Sequence, residues 1–230
     1  CMLNGNLVQF SRDFEVQWRY NRIPHGSREL ELRDLDRDGK LEVLVANKYG
    51  AVQVFNYKGE SQPGVYSELG DVEMATGNMD DDEDYEIANG SATGTFNVGQ
   101  WGGATEFSFH NYGFAVRELI MADVAGNASD ELMVASETGY AYVLGAGGEV
   151  LAQLDFGEVV TDLVLLPRDG AKPMVAASLA DGRVYILDGS LQPVAEWKAD
   201  GEVSMVEALH TAEGEMLLAA THAGVVCLRP

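Results

Sequence analysis

Six glycines, Gly5, Gly50, Gly94, Gly139, Gly182 and Gly224, divide the chain at intervals of 45, 44, 45, 43 and 42 residues. Spacing this regular marks an internal repeat, and a repeat restricts the fold more than any composition value does. Apolar residues stand two and four places after each glycine. They are Val52 and Val54, Phe96 and Val98, Ala141 and Val143, Val184 and Ile186, and Val226 and Leu228, with Leu7 and Gln9 as a half-match. Alternation with period two predicts a strand. The segments before the glycines (EVLVANKYG, EIANGSATG, ELMVASETG, MVAASLADG, MLLAATHAG) predict a second strand and a tight turn closed by glycine, which tolerates positive φ.

A further strand opens each unit (RELELRD, GDVEMATG, VRELIMAD, VTDLVLLP, VSMVEALH). An outer strand closes it (VYSEL, ATEFSFH, EVLAQLDF, PVAEWKA). Four short strands in about 44 residues is the size of a β-propeller blade. The expected fold is therefore all-β: one propeller domain over 1–230, with five to six repeats. Blades are expected at 27–70, 71–114, 115–157 and 158–201, with partial blades at 1–22 and 202–230. Gly5 and Gly224 share one phase, so both ends claim the same strand of a five-blade ring. Three arrangements stay open: a closed five-blade ring, a six-blade ring in which FEVQWRY completes the last blade, and a larger ring in a longer polypeptide.

The most specific chemistry lies between the first and second strands. The first repeat carries Asp34, Asp36, Asp38, Gly39, Lys40 and Glu42, running into VLVA. Acidic side chains at positions 1, 3, 5 and 9 of a tight loop, with the position-7 carbonyl of Lys40, deliver several oxygens to one hard cation such as calcium. An EF-hand needs Glu at position 12, where this chain has Val45 inside a strand. The second repeat carries Asn78, Asp80, Asp82, Asp84 and Glu86 at the same offsets, with Glu83 in place of the turn glycine. The third (Asp123 to Glu131) has Ala125 at position 3 and predicts a weakened site. The fourth and fifth have lost the loop, and Met174 and Met216 replace the ninth-position glutamate. Carboxylates that disappear together argue for one shared purpose; the alternative is a solvated acidic turn.

D-x-D-x-D-G-x-x-E leading into a short apolar strand resembles the FG-GAP/VCBS repeat of integrin α-subunit propellers and many bacterial surface proteins. The resemblance covers residues 27–155. Position 9 is Glu where integrins use Asp, and a GAP tripeptide is lacking. The resemblance thus implies fold and calcium, and not integrin function. The later repeats, as in DGRVYILDGSLQPVAEW, resemble quinoprotein (PQQ-like) repeats.

The chain has 37 acidic residues against 15 basic ones, a formal charge of -22. Such a surface repels nucleic acid and anionic membranes and attracts cations. With 10 Arg and only 5 Lys, it also fits adaptation to salt. There is no apolar run of membrane-spanning length. Two cysteines, Cys1 and Cys227, are too few for a disulfide scaffold. Cys1 is a candidate lipidated residue, or a partner for Cys227 if the ends meet. The histidines are isolated, and no nucleophile elbow, P-loop or dinucleotide fingerprint is present. Trp18 and Trp197 are expected to pack. Trp101, in NVGQWGG, is a candidate ligand contact. Asn89 and Asn127 stand in N-x-S sequons.

The expected function is non-catalytic: an extracellular or cell-surface calcium-binding propeller whose structural calcium supports binding, adhesion or assembly with a protein or glycan ligand. The alternative is a secreted propeller enzyme, a polysaccharide lyase or quinoprotein-like oxidoreductase. A third reading is an intracellular scaffold.

Overall fold

The computed structural model describes residues 5–23, 26–47, 51–66, 73–80, 82–90, 92–168, 170–211 and 214–228. A two-stranded sheet comes first, β1 (Leu7–Phe10) with β2 (Val16–Tyr20). Four antiparallel four-stranded sheets follow, each in simple meander order. Sheet one holds β3 (Ser27–Arg33), β4 (Glu42–Asn47), β5 (Ala51–Phe55) and β6 (Ser61–Tyr66). Sheet two holds β7 (Glu73–Gly77), β8 (Glu86–Gly90), β9 (Thr95–Gln100) and β10 (Thr105–His110). Sheet three holds β11 (Val116–Ala122), β12 (Glu131–Ser136), β13 (Tyr140–Leu144) and β14 (Val150–Asp155). Sheet four holds β15 (Val160–Leu166), β16 (Met174–Leu179), β17 (Arg183–Leu187) and β18 (Pro193–Lys198). The last sheet has three strands: β19 (Val203–Thr211), β20 (Gly214–Thr221) and β21 (Gly224–Leu228).

The core is a series of layers between consecutive sheets. The second strands of sheets one to three, Glu42–Asn47, Glu86–Gly90 and Glu131–Ser136, are buried along their whole length, because both of their faces meet a neighbouring sheet. Leu44, Val52, Val54, Met74 and Ile87 fill the layer between sheets one and two. Leu132, Val134, Phe96 and Val98 fill the next, and Met133, Val143, Val175 and Leu187 the one after. Outer strands such as β14 and β18 are largely exposed. The first strands of neighbouring sheets contact one another, which makes them the innermost strands.

One of the arrangements left open is not formed among the described residues, and one strand boundary moves. The segment containing β2 does not complete the last sheet; Leu7 pairs with Tyr20 and Gln9 with Trp18, while β21 pairs with β20 among the described residues. The outer strand expected at VYSEL starts earlier, at Ser61, where Phe55 pairs with Ser61. Residues 67–69 of that segment lie outside the described residues. The tryptophans pack as expected. Trp18 lies 6.5 Å from the Phe55 ring and donates its indole N–H to the Tyr57 carbonyl at 3.1 Å. Trp197 packs on the layer between sheets four and five. Cys227 is an exposed free thiol, and Cys1 lies outside the described residues.

Candidate metal centres

The first acidic loop links β3 to β4. Each aspartate accepts a backbone N–H two or more residues ahead: Asp36 from Asp38 at 3.1 Å, Asp38 from Lys40 at 2.8 Å, and Asp34 from Gly39 at 3.0 Å. Aspartate favours such local turns, and these fold the chain back on itself. Gly39 takes φ +84°, so glycine at position 6 has a steric reason. Glu42 is the first residue of β4. It lies buried under the loop and accepts the Leu35 N–H at 2.9 Å. The loop thereby brings carboxylate oxygens of Asp34, Asp36 and Glu42 within 4.8 Å of one another. Asp38 stands apart from this triad. Its second oxygen pairs with the Lys40 ammonium at 2.7 Å, a contact that lowers its pKa. The Lys40 ammonium also lies 4.6 Å from the centre of the Tyr57 ring.

The second loop, between β7 and β8, repeats the design. Asp80 accepts the Asp82 N–H at 2.9 Å, Asp82 accepts the Asp84 N–H at 2.8 Å, and Glu86 accepts the Met79 N–H at 2.6 Å. Here Asp80, Asp82 and Glu86 form the triad, again within 4.8 Å. Asn78 donates its amide to the Asp82 carbonyl at 2.8 Å. Asp84 is exposed and outside the triad. Glu83 is not among the residues with positive φ, so the turn closes differently from the one at Gly39. The pKa of Glu86 is pushed up to about 7, first by burial and then by the charges of Asp80, Glu106 and Asp82. Burial and the aspartates of loop one likewise raise Glu42.

Three buried acceptor oxygens in these loops have no hydrogen-bond partner: Asp34 Oδ1, Asn78 Oδ1 and Glu86 Oε1. Buried acceptors are rarely left unpaired in folded proteins. Orphans at positions 1 and 9, beside clustered carboxylates, fit an oxygen-preferring cation such as calcium.

The third loop, between β11 and β12, satisfies itself. Glu131 accepts N–H groups from Val124 (3.0 Å) and Ala125 (2.9 Å) and the Asn127 amide at 3.0 Å. Asp123 accepts from Gly126, Asn127 and Ala128. The Lys172 ammonium, from sheet four, donates to the Ala125 carbonyl. A lysine thus supplies the positive charge at this loop.

Two sets of residues escaped the sequence reading. Glu106 is the extra residue of a bulge in β10, and burial together with Asp80 and Asp82 raises its pKa. Bulges commonly re-aim side chains in this way. Nothing within the loop's own sequence signals a carboxylate arriving from about 20 residues downstream. The other set lies on the innermost strands. Glu29, Glu118 and Asp162 each follow a register shift at the start of a first strand, and Glu73 opens β7. The pKa of Glu118 is pushed up to about 10 by burial and by Glu29, Asp162 and Glu73, and that of Asp162 to about 6, chiefly by burial. Glu118 is therefore protonated at neutral pH and hydrogen-bonds Asp162, which also accepts the Val206 N–H at 2.9 Å.

Of the other candidates, Trp101 donates its indole N–H to the Pro63 carbonyl at 3.0 Å and so ties sheet two to sheet one. Asn89 is fully buried, which closes its sequon to glycosylation in the folded chain. No helix among the described residues is long and apolar enough to cross a membrane.

No protein-family model matches this sequence, and no curated protein matches it by sequence. Its fold is similar to many solved structures. A BBS1N structure in complex with ARL6DN superposes with a TM-score of 0.79 at 14% identity, covering 99% of this chain and 73% of that one. Sqt1 from Saccharomyces cerevisiae gives 0.78 at 14% identity, covering 98% of this chain and 66% of that one. A chain of the Mitotic Checkpoint Complex gives 0.80 at 14% identity, covering 99% of this chain and 69% of that one. With its four complete meander sheets stacked in sequence around shared inner strands, the chain is a β-propeller.

Proposed function

We propose that this chain is a non-catalytic propeller of the FG-GAP/VCBS type, stabilised by calcium and working by binding in the extracellular space or at a cell surface. The observation that carries the reading is the set of buried, unpartnered oxygens at Asp34, Asn78 and Glu86 beside two carboxylate triads. The proposed ligands are Asp34, Asp36, Asp38 and Glu42 with the Lys40 carbonyl, and Asn78, Asp80, Asp82, Asp84 and Glu86. Calcium at these loops would neutralise like charges that otherwise repel, and would hold the first two strands of each sheet together. Extracellular calcium suits sites of modest affinity, and extracellular modules commonly hold calcium in the ~0.1–1 mM range.

A binding role is favoured because the acidic clusters sit in loops whose oxygens serve turns and strand ends. Two of the similar structures are of proteins in complexes, which favours a protein partner here. Calorimetric titration of calcium into chelator-treated protein tests the metal reading. Two ions per chain, with a rise in the unfolding midpoint, are expected. No bound calcium and no shift in the midpoint would reject it.

A further inference from the structure

The repeats can be compared with one another, and one face of sheet two departs from the rest. Strand registers pair Val45 with Gln53 in sheet one, Asn89 with Asn97 in sheet two, Val134 with Tyr142 in sheet three and Ala177 with Tyr185 in sheet four. The next pairs along are Val43 with Phe55, Ile87 with Gly99, Leu132 with Leu144 and Val175 with Leu187. Where the sibling sheets place Phe55, Leu144 and Leu187, all fully buried, sheet two has Gly99. Where sheets three and four place the rings of Tyr142 and Tyr185, it has Asn97. Where sheets one and three place a valine, it has Asn89.

These three replacements lie on the face of sheet two that meets sheet one. They leave a cavity of about 240 Å³ between Pro63, Gly64 and Val65 of β6 and the strands β8 to β10. Its lining holds no charged side chain. It does hold three amides, Asn89, Asn97 and Gln100, and the hydroxyl of Thr105. Asn97 Oδ1 is engaged, accepting from Ser108 at 2.6 Å. Asn89 is 0% exposed, and both its Oδ1 and its Nδ2 lack a partner. An amide buried with neither its donor nor its acceptor satisfied is costly, and an aliphatic side chain in its place would be cheaper. The neighbouring repeats use that cheaper solution. Tight backbone also preserves the space: a Cβ on Gly99 would fall 2.4 Å from the Ala104 carbonyl oxygen, and one on Gly64 2.4 Å from that of Val52.

We propose that this inter-sheet cavity is a binding site for a small uncharged group that presents a hydrogen-bond donor and acceptor side by side, read by Asn89. A carboxamide and a sugar's adjacent hydroxyls both have that pattern, and the absence of charge in the lining disfavours ions. The volume suits a group of about monosaccharide size, several times the ~30 Å³ share of one water. The site stands independently of the metal reading, although Gln100 touches both regions by donating to Asp82.

The test is an NMR titration of the Asn89 side-chain amide at fixed calcium, using acetamide, glucose and N-acetylglucosamine as separate probes. A saturable shift with at least one probe is expected. Acetamide without glucose assigns the carboxamide, and glucose without acetamide assigns the hydroxyl pair. N-acetylglucosamine carries both groups. Asn89→Val, the residue that sheets one and three already use, is expected to melt a few degrees higher without probe. Backbone resonances of Gly99 and Gln100 in that variant should lose the saturable response. No saturable shift with any probe, or an undiminished response in Asn89→Val, would overturn the proposal.

Discussion

Asn78 and Asp130 hold each other across two sheets. The Asn78 N–H donates to Asp130 Oδ2 at 2.9 Å, and the Asp130 N–H donates to the Asn78 carbonyl at 2.7 Å. Asn78 opens the second acidic loop, while Asp130 closes the third. The geometry of one loop is therefore set partly by its neighbour. A Cβ on Gly77 would come within 2.7 Å of the Asp130 carboxylate, so the approach also requires glycine there. Similar links run on around the same side, with Arg33 donating to Thr76 Oγ1 at 2.8 Å and Arg37 lying 5.1 Å over the Tyr85 ring.

Asp130→Ala leaves the Asn78 N–H without its acceptor. A loss of about 1–3 kcal/mol is expected. For a chain of this size that lowers the midpoint by about 2–4 °C per kcal/mol. The calcium-dependent part of the stability should fall as well, because Asn78 loses its anchor. Melts of both proteins with calcium and with chelator measure this.

Glu86→Gln removes a charge from a fully buried position whose pKa is already raised. In chelator the variant is expected to be at least as stable as the parent. In calcium it should bind one ion where the parent binds two. Its gain in stability should then come from the first loop alone, with about 2.7 kcal/mol available per site at a hundredfold excess of calcium over its dissociation constant. Two ions still bound to Glu86→Gln would contradict this assignment.

Glu118 predicts a pH dependence of defined sign. Its pKa rises from 4.5 to about 10 on folding, so the folded chain keeps a proton that the unfolded chain releases. The stability it contributes is fully present below about pH 4.5 and is lost as pH rises towards 10. Glu118→Gln keeps a donor for Asp162 and cannot ionise. The midpoint difference between variant and parent should therefore widen in the variant's favour from pH 5 to pH 9. A constant difference across that window would show that Glu118 ionises freely.

The third loop should be convertible into a metal site. Lys172→Met alone is expected to change the midpoint little, because both groups are exposed and water can replace the ammonium at the Ala125 carbonyl, and to add no calcium. Lys172→Met with Ala125→Asp restores the missing position-3 carboxylate and removes the competing ammonium. The bound ions should then number three instead of two, as read by equilibrium dialysis with radioactive calcium.

Much of the architecture was legible in the chain. Alternating Val52 and Val54, or Val184 and Ile186, can present one apolar side only as strands, and the regular glycines mark where the hairpins turn. The acidic loops were legible because their oxygens lie within nine consecutive residues. The membership of each triad was less so: nothing in the spacing separates Asp38, one of whose oxygens pairs with Lys40, from the clustered Asp34, Asp36 and Glu42.

By itself the sequence determined the strands, their meander order and the two loops, because all of these depend on period-two patterning and contacts close along the chain. Only the tertiary structure decided that β1 pairs with β2 and that β21, among the described residues, pairs with β20 alone. Tertiary contacts also bring Glu106 to the second loop, Lys172 to the third and Glu118 to Asp162. The cavity at Asn89 belongs with these, since it exists only where two sheets face each other. Such contacts join residues tens of positions apart, and their geometry comes from how the sheets stack, which no local spacing encodes.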